Sequence, residues 1–271
     1  HNWLDPQADE PTHWGPQGPG EAAWGWANPS IADFDSDGDL DMFVTSQRWQ
    51  VKYFENIGSH RKPRLAAGRE VRCNGDPHEF SWRSKVSLGD IDGDGAMEMV
   101  VTSHQDNTFY AYELDARKSN SEVLQLQRGQ PLMQENGEAV QGFYGGQNNN
   151  GDNHSQLVDW DNDGDLDVVM NRLNAPAALY RNNTSAPRLA VRLRGESPNT
   201  RGIGAKVKLL GGPVDQMKEV ISGGSYLSGS EALVSFASWD TEREFTLEVT
   251  WRSGEVSVIE RVKGNRLYEV Y

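Results

Sequence analysis

Three short stretches of the chain carry aspartates at alternate positions around a glycine. They read DFDSDGDLD at 33–41, DIDGDGAME at 90–98 and DWDNDGDLD at 159–167. All three share the frame D-x-D-x-D-G-x-x-[D/E], and a strand-like apolar run follows each of them. A frame that recurs three times along one chain predicts a structural repeat rather than a chance cluster of acids.

Carboxylates this close together repel one another unless a cation offsets their charge. Ca²⁺ binds six to eight oxygens at about 2.3–2.6 Å and tolerates irregular geometry. The acids at positions 1, 3 and 5 can point at one ion, while the glycine at position 6 permits a sharp turn. A backbone carbonyl at position 7 and an acid at position 9 would complete the shell. Mg²⁺ is a weaker candidate because it requires octahedral geometry and keeps its waters, and the remaining alternative is a solvated acidic turn without metal.

The frame differs from an EF-hand at two points. An EF-hand loop needs a glutamate at position 12 and a helix on each side. Position 12 here is Val44, Val101 or Met170, and the last acid stands at position 9 instead. The flanking residues are typical of strands, so the sequence predicts that each loop joins two strands.

An acidic frame between strands resembles the FG-GAP/VCBS repeat of integrin-type β-propellers. The resemblance covers about residues 24 to 187, and YFENIG at 53–58 and LYRNN at 179–183 are similar to the strand and turn that follow in such repeats. It implies about three Ca²⁺ ions, and Glu98 in place of the usual aspartate is expected to shift or weaken its site. The implied ligands, with the position 7 residue contributing its carbonyl, are Asp33, Asp35, Asp37, Asp39 and Asp41; Asp90, Asp92, Asp94, Ala96 and Glu98; and Asp159, Asp161, Asp163, Asp165 and Asp167.

The acidic excess of the chain lies in its first part. The formal net charge is −14, and residues 188–271 hold 12 basic and 11 acidic residues, which leaves 14 basic and 29 acidic residues in 1–187. Fourteen of those acids belong to the three loops, so we interpret the charge as a metal-loading feature. A negative chain is a poor partner for nucleic acid, and no apolar run is long enough for a membrane span. The chain begins at His1, which favours a processed chain or a fragment.

Residues 188–271 alternate short apolar runs with glycine-rich turns, which predicts a small β-sandwich after a repeat region at 1–187. The predicted strands include KEVISGG at 218–224. Three segments, NTRGIGAKVKL, SGGSYLSGSE and LEVTWRSGEV, together resemble the ASPIC/UnbV domain. That domain follows propeller-type repeats in secreted proteins such as the cartilage acidic protein type. The resemblance therefore implies an extracellular or periplasmic location, and the fold class expected is all-β, with propeller-like repeats before the sandwich.

Three loops are fewer than the four to eight blades that close a propeller. The chain is then a fragment, pairs its open sheet edges with another chain as a homo- or hetero-oligomer, or forms an open array capped by its ends. The segment 1–26, rich in Pro, Gly and Trp, can supply a closing strand or an irregular cover. The single cysteine, Cys73, excludes an intrachain disulfide and is expected to be a buried apolar side chain.

No hydrolase, metalloprotease or nucleotide-binding motif is present, and Glu79, Glu135 and Glu138 are uncommitted acids that nothing singles out. The sequence favours a secreted, calcium-stabilised, non-catalytic module that binds a protein or glycan partner. The alternatives are a polysaccharide-active enzyme, or part of one, and a structural subunit of an extracellular assembly. Exposed tryptophans could stack on sugars, although core packing is their commoner use. The candidates are Trp3, Trp14, Trp24, Trp26, Trp49, Trp82 and Trp160.

Overall fold

In the computed structural model, the regular secondary structure of the described residues consists of β-strands. The structure describes residues 28–45, 50–59, 62–76, 80, 85–103, 105–142, 154–161, 163–171, 176–222, 224–225, 228–229 and 231–271. The all-β fold with propeller-like repeats is confirmed. The described residues contain no helical segment of the length and apolarity that a membrane-spanning helix requires.

The first two repeats each form a four-stranded antiparallel meander. In each one the strands follow one another in chain order, and the acidic loop connects the first strand to the second. The strands of the first repeat are β1 (Asn28–Ala32), β2 (Asp41–Thr45), β3 (Val51–Phe54) and β4 (Arg69–Cys73). Those of the second are β5 (Ser87–Gly89), β6 (Glu98–Thr102), β7 (Phe109–Leu114) and β8 (Val123–Pro131).

These two meanders meet at both of their edges. The fourth strands pair in parallel, with Glu70 opposite Val123 and Cys73 opposite Leu126. At the other edge β1 lies beside β5, and Ser30 Oγ donates a hydrogen bond of 2.6 Å to the Val86 carbonyl. The eight strands therefore form one nearly closed, barrel-like sheet around an apolar core.

The third repeat forms a three-stranded sheet that packs on the outside of the second. It consists of β9 (His154–Val158), β10 (Asp167–Asn171) and β11 (Ala178–Tyr180). Its core combines Leu157, Val168 and Met170 with Val100 and Phe109 of the second repeat. The second repeat is thus covered on both faces, which explains why every residue of EMVVT in β6 is buried.

The apolar core inside the barrel-like sheet of the first two repeats holds 13 buried residues, including Phe43, Tyr53 and Tyr112. Phe34 and Phe43 meet edge to face with ring centroids 4.8 Å apart. Cys73 is buried in the same core, as predicted.

The tail, residues 188–271, forms two sheets that pack face to face, and this confirms the small sandwich. The strands are β12 (Arg188–Leu193), β13 (Lys206–Leu210), β14 (Gln216–Glu219), β15 (Gly224–Ser225), β16 (Ser228–Gly229), β17 (Leu233–Ala237), β18 (Phe245–Thr250), β19 (Val256–Val262) and β20 (Arg266–Val270). One sheet of the sandwich has the strand order β17-β12-β20 and the other β14-β13-β18-β19, and β15 pairs with β16 in a separate two-stranded sheet. Fourteen buried apolar residues fill the space between the two sheets of the sandwich.

The predicted strand over KEVISGG at 218–224 begins earlier and ends sooner than expected. The structure places β14 at Gln216–Glu219, and Val220 adds two backbone hydrogen bonds, donating to the Ala205 carbonyl at 2.9 Å and accepting from Gly204 N at 2.7 Å. Ile221 is exposed, so the chain leaves the sheet at this point.

The tail and the three repeats line a half-open cavity of about 730 Å³. Its walls come from the first strand of each repeat, β1, β5 and β9, and from β14 and β17 of the tail. The tail therefore faces the inner edges of all three repeats, where the acidic loops begin.

Candidate metal centres

Each acidic loop connects the same two kinds of strand in the same register. Ala32 pairs with Asp41, Gly89 with Glu98, and Val158 with Asp167. In every loop the residue before position 1 thus lies opposite position 9. The strands on both sides confirm that these are not EF-hand loops.

The glycine at position 6 adopts the left-handed backbone that the frame requires. Its φ is 107° at Gly38, 88° at Gly95 and 100° at Gly164. Residues with a Cβ rarely adopt this conformation, which explains why each loop has a glycine at position 6. Position 4 is also left-handed in the first two loops, where it is Ser36 or Gly93.

The carboxylates at positions 3 and 5 fold the loops by accepting backbone N–H groups two residues ahead. In the first loop, Asp35 accepts from the N–H of Asp37 at 3.2 Å, and Asp37 from that of Asp39 at 2.9 Å. The second and third loops repeat both bonds, at distances of 2.8–3.2 Å. These turns restrict the orientation of the carboxylates at positions 3 and 5.

Three carboxylates converge in each loop, with one oxygen of each lying within 4.8 Å of the others. The structure brings together positions 1, 3 and 5 in the first two loops, and positions 1, 3 and 9 in the third. The three groups are Asp33, Asp35 and Asp37; Asp90, Asp92 and Asp94; and Asp159, Asp161 and Asp167.

The acid at position 9 closes the loop by a hydrogen bond to the backbone at position 2. Asp41 accepts from Phe34 N at 3.2 Å, and Asp167 from Trp160 N at 2.8 Å. Glu98 reaches the matching N–H, that of Ile91, at 2.8 Å. The longer Glu98 side chain therefore makes the same closure as the aspartates.

Two asparagines that the sequence analysis did not single out support position 9. Asn56 N donates to Asp41 Oδ1 at 2.9 Å, and Asn182 N donates to Asp167 Oδ1 at 2.8 Å. Both stand in the turn after the third strand of their repeat. The recurrence of Asn in YFENIG and LYRNN was the signal that could have identified them.

Tyr53 is a further contact that the sequence analysis missed. Its buried hydroxyl donates to Asp41 Oδ2 at 2.8 Å. Burial and the neighbouring Asp41 raise the Tyr53 pKa, so the hydroxyl remains a donor at neutral pH.

The side chains at position 7 differ between the loops, as expected if only the backbone carbonyl serves the metal. Asp39 lies 3.6 Å from Lys206 Nζ of the tail, and the second loop has an alanine, Ala96. Asp165 is buried, and its Oδ1 atom has no hydrogen-bond partner among the described residues.

Arg181 distinguishes the third loop from the other two. Its guanidinium pairs with Asp161 and, at 3.0 Å, with Asp163. The carboxylate at position 5 faces this arginine, which explains why Asp167 takes its place among the converging acids.

Burial raises the pKa of several loop carboxyls. It raises the pKa of Asp33 and of Asp41 to about 6 and that of Glu98 to about 9. Burial, with repulsion from Asp163, raises the Asp165 pKa to about 7. Desolvation disfavours a charged carboxylate unless a cation is near, and a bound metal would supply that cation.

The loops fit a hard divalent cation. All donors are oxygens, and the buried Asp33 Oδ2 has no hydrogen-bond partner among the described residues. Three converging carboxylates can supply part of the six to eight oxygens that Ca²⁺ requires. Nine of the predicted carboxylates converge in this way, whereas Asp41, Glu98 and Asp163 lie outside the three converging groups.

Trp160 is the described member of the tryptophan set that precedes the tail. It occupies position 2 of the third loop and is 60% exposed, whereas Phe34 and Ile91 at the same position are buried. The other predicted sugar-stacking candidates lie outside the described residues, as does the segment 1–26. They are Trp3, Trp14, Trp24, Trp26, Trp49 and Trp82.

The uncommitted acids Glu135 and Glu138 are exposed on a turn after β8. Glu135 accepts a hydrogen bond from Asn183, and Glu138 from Asn136. The third such acid, Glu79, lies outside the described residues.

Comparisons with known proteins agree with this organisation. Residues 33–101, which span the first two loops, match the sequence model of the FG-GAP-like repeat, and residues 195–271 match that of "ASPIC and UnbV". Human cartilage acidic protein 1 is 26% identical over 240 residues, which cover 84% of this chain and 33% of the relative. The mouse protein of the same name is 25% identical over 240 residues, covering 84% of this chain and 34% of that protein. The chain thus spans about a third of the length of these relatives.

Proposed function

We propose that this chain is a calcium-stabilised, non-catalytic binding module that works outside the cell, in the extracellular space or the periplasm. The observation that carries the proposal is the shared construction of the three loops, each of which converges three carboxylates within 4.8 Å. The matches to the FG-GAP-like repeat and to cartilage acidic protein 1 support a binding or structural role.

Calcium would supply two positive charges and a coordination centre in each loop, about three ions in all. The residues at positions 1, 3, 5 and 9 would bind it through carboxylates, and Asp39, Ala96 and Asp165 through their carbonyls. In the first and third loops the acid at position 9 also accepts a hydrogen bond from the turn after the third strand. Calcium binding would therefore make the repeat more rigid. Extracellular calcium modules work with Kd values of about 10⁻⁴–10⁻³ M, which suits loops as exposed as positions 3 and 5 are here.

A thermal melt of the full chain tests the metal. We expect removal of Ca²⁺ by a chelator to lower the melting temperature, Ca²⁺ to restore it, and Mg²⁺ to restore it less. A melting temperature that is the same with chelator and with Ca²⁺ would contradict the proposal. A matched control is Asp240→Asn in the tail, an exposed acid outside the loops that should leave the calcium effect intact.

The partner that we propose is a glycan or a protein. Trp160 supports a glycan, since an exposed indole beside a rigid loop offers a flat face on which a sugar ring can stack. A glycan array with calcium present should show binding that Trp160→Ala removes. Tyr271→Ala, which also deletes an exposed aromatic side chain, should not affect it. An array without signal would favour a protein partner or an assembly through sheet edges.

A further inference from the structure

In each of the three acidic loops, a turn carbonyl accepts a hydrogen bond from a side chain of the tail. A different tail residue serves each loop. Lys206 Nζ donates to the Gly38 carbonyl. Ser235 Oγ donates to the Gly164 carbonyl at 2.7 Å. Trp239 Nε1 donates to the Asp94 carbonyl at 2.8 Å.

These three acceptors occupy nearly the same place in the repeat. Gly38 and Gly164 are position 6 of their loops, and Asp94 is position 5. The carbonyl implied as a metal ligand belongs to position 7, one or two peptide units later. A donor on the preceding carbonyl fixes the orientation of the peptide plane before it, because consecutive planes share a Cα.

The tail also fits closely against the loop glycines. A Cβ on Gly95 would lie 2.6 Å from the Trp239 indole, and one on Gly93 would lie 3.1 Å from the guanidinium of Arg188. On its other side the same indole meets Gly212, where a Cβ would lie 2.1 Å away. Trp239 is therefore held between the second loop and the tail.

Arg188, the first residue of the tail, enters between the second and third loops. Its guanidinium is buried, lies 3.8 Å from the Asp90 carboxylate and donates to the Asp90 carbonyl at 3.4 Å. Its side chain also approaches Gly164 of the third loop, where an added Cβ would lie 3.7 Å from Arg188 Cβ. This positive charge would compete with a cation for Asp90, so a gain in calcium affinity from the tail must come from its hydrogen-bond donors.

We infer that Lys206, Ser235 and Trp239 are positioning residues for calcium, which set the affinity of the loops from outside the repeat. The inference rests on the proposed function. A loop whose turn carbonyls are already held loses less conformational freedom when the ion binds, so docking of the tail should raise affinity. By thermodynamic reciprocity, calcium should tighten the docking of the tail by the same factor.

Calorimetric titration of the full chain with Ca²⁺ tests this inference with conservative variants. Trp239→Phe removes one N–H donor and keeps an aromatic ring, and Ser235→Ala removes one hydroxyl. One hydrogen bond contributes about 0.5–1.5 kcal/mol, so each variant should weaken one calcium site about two- to tenfold. Each should lower the melting temperature more with Ca²⁺ than in chelator, which loss of packing alone would not do.

The matched control is Trp251→Phe. Trp251 Nε1 donates at 2.9 Å to Ser257 Oγ inside the tail, so the same atoms are removed away from the loops. Its melting temperature should fall equally with Ca²⁺ and in chelator, and its calcium affinities should match the wild type. Equal affinity losses in Trp239→Phe and Trp251→Phe would overturn the inference.

A second background assigns the effect to the right loop. Asp92→Asn combined with Asp94→Asn removes two exposed carboxylates of the second loop, which should leave this loop without bound Ca²⁺. In that background Trp239→Phe should have no further effect on calcium binding, whereas Ser235→Ala should still weaken the third loop. Additive losses from Trp239→Phe would overturn the inference. If the wild type binds no Ca²⁺, the proposed function fails; if the wild type binds and both single variants bind equally well, only the inference fails.

Discussion

The repeat region, residues 1–187, and the tail bury different kinds of side chain. Among the residues that the structure describes, six Asp or Glu residues of the repeat region are buried, whereas the buried charged residue of the tail is Arg188. The tail encloses 14 buried apolar residues between its two sheets. The repeat region places its apolar residues in separate cores, one inside the barrel-like sheet and one between the second and third repeats. Its charged loops connect the first and second strands of each repeat.

This difference means that the two regions respond to different variables. Burial of apolar surface stabilises the tail in aqueous solution whether or not Ca²⁺ is present. A buried carboxylate destabilises the repeat region unless a proton or a cation accompanies it. The free energy of unfolding of the repeat region should therefore depend on pH and on the Ca²⁺ concentration. That of the tail should depend mainly on its apolar core.

Removal of calcium should separate the two regions most strongly. With free Ca²⁺ at one hundred times Kd, each site adds about 2.7 kcal/mol to the free energy of unfolding. Hydrogen exchange of the full chain in chelator should accelerate in β2, β6 and β10 and change little in β18. Equal acceleration in all four strands would show that the regions unfold as one unit.

A core substitution in the tail should give the opposite pattern. Leu247 is fully buried between the two sheets, so Leu247→Ala should lower the free energy of unfolding by about 2–5 kcal/mol. The loss should be the same with Ca²⁺ and in chelator, as measured by denaturant titration. A loss that is confined to the calcium-loaded protein would contradict the distinction between the regions.

The pH dependence of the metal-free protein should reveal the buried carboxylates. The pKa of Asp33 and of Asp41 is raised by burial to about 6, so the folded protein holds protons that the unfolded chain has released. The free energy of unfolding should therefore decrease as pH rises from about 4 to 6, by about 2 kcal/mol for each carboxyl. Glu98, with a pKa of about 9, extends a shallower decrease to higher pH.

Chemical denaturation of extensively dialysed protein across this pH range measures the effect. Saturating Ca²⁺ should flatten or reverse the slope, because the ion binds the deprotonated acids. A metal-free protein that becomes more stable with rising pH between 4 and 6 would show that these carboxylates find other compensation.

The smallest expected effect concerns the third loop alone. Arg181 pairs with Asp161 and Asp163, and its exposed guanidinium competes with a bound cation for their charge. Arg181→Met should raise calcium affinity at this loop by about twofold, in keeping with the weakness of exposed ion pairs. Arg194→Met, which breaks an exposed pair with Glu269 in the tail, is the control and should leave affinity unchanged.

Much of the fold follows from local patterns that the sequence displays. The recurring acidic frame and the alternating apolar runs predicted strands on both sides of each loop and a sandwich in the tail. The left-handed glycine at position 6 follows from the frame itself. The predicted strand at 218–224 was misplaced because its apolar Val220 and Ile221 suggested a longer pairing than the sheet provides.

Contacts between distant parts of the chain could not be predicted in this way. The bond from Lys206 to Gly38 joins residues whose meeting depends on how the tail packs against the repeats. The bond from Tyr53 to Asp41 depends on the pairing of the second and third strands, which brings together two residues 12 positions apart. Arg181 is an ordinary exposed arginine in the sequence and becomes part of the third loop only through the pairing of β10 and β11.

The parallel pairing of β4 with β8 has a consequence for the order in which the chain folds. The paired residues, such as Glu70 and Val123, are about 50 residues apart, whereas the meanders form from neighbouring segments. Closing so long a segment costs entropy before any ladder bond forms. We expect the two meanders to form first and the parallel ladder to join them late, so that the unpaired edges of β4 and β8 are the surfaces most open to misassembly during synthesis.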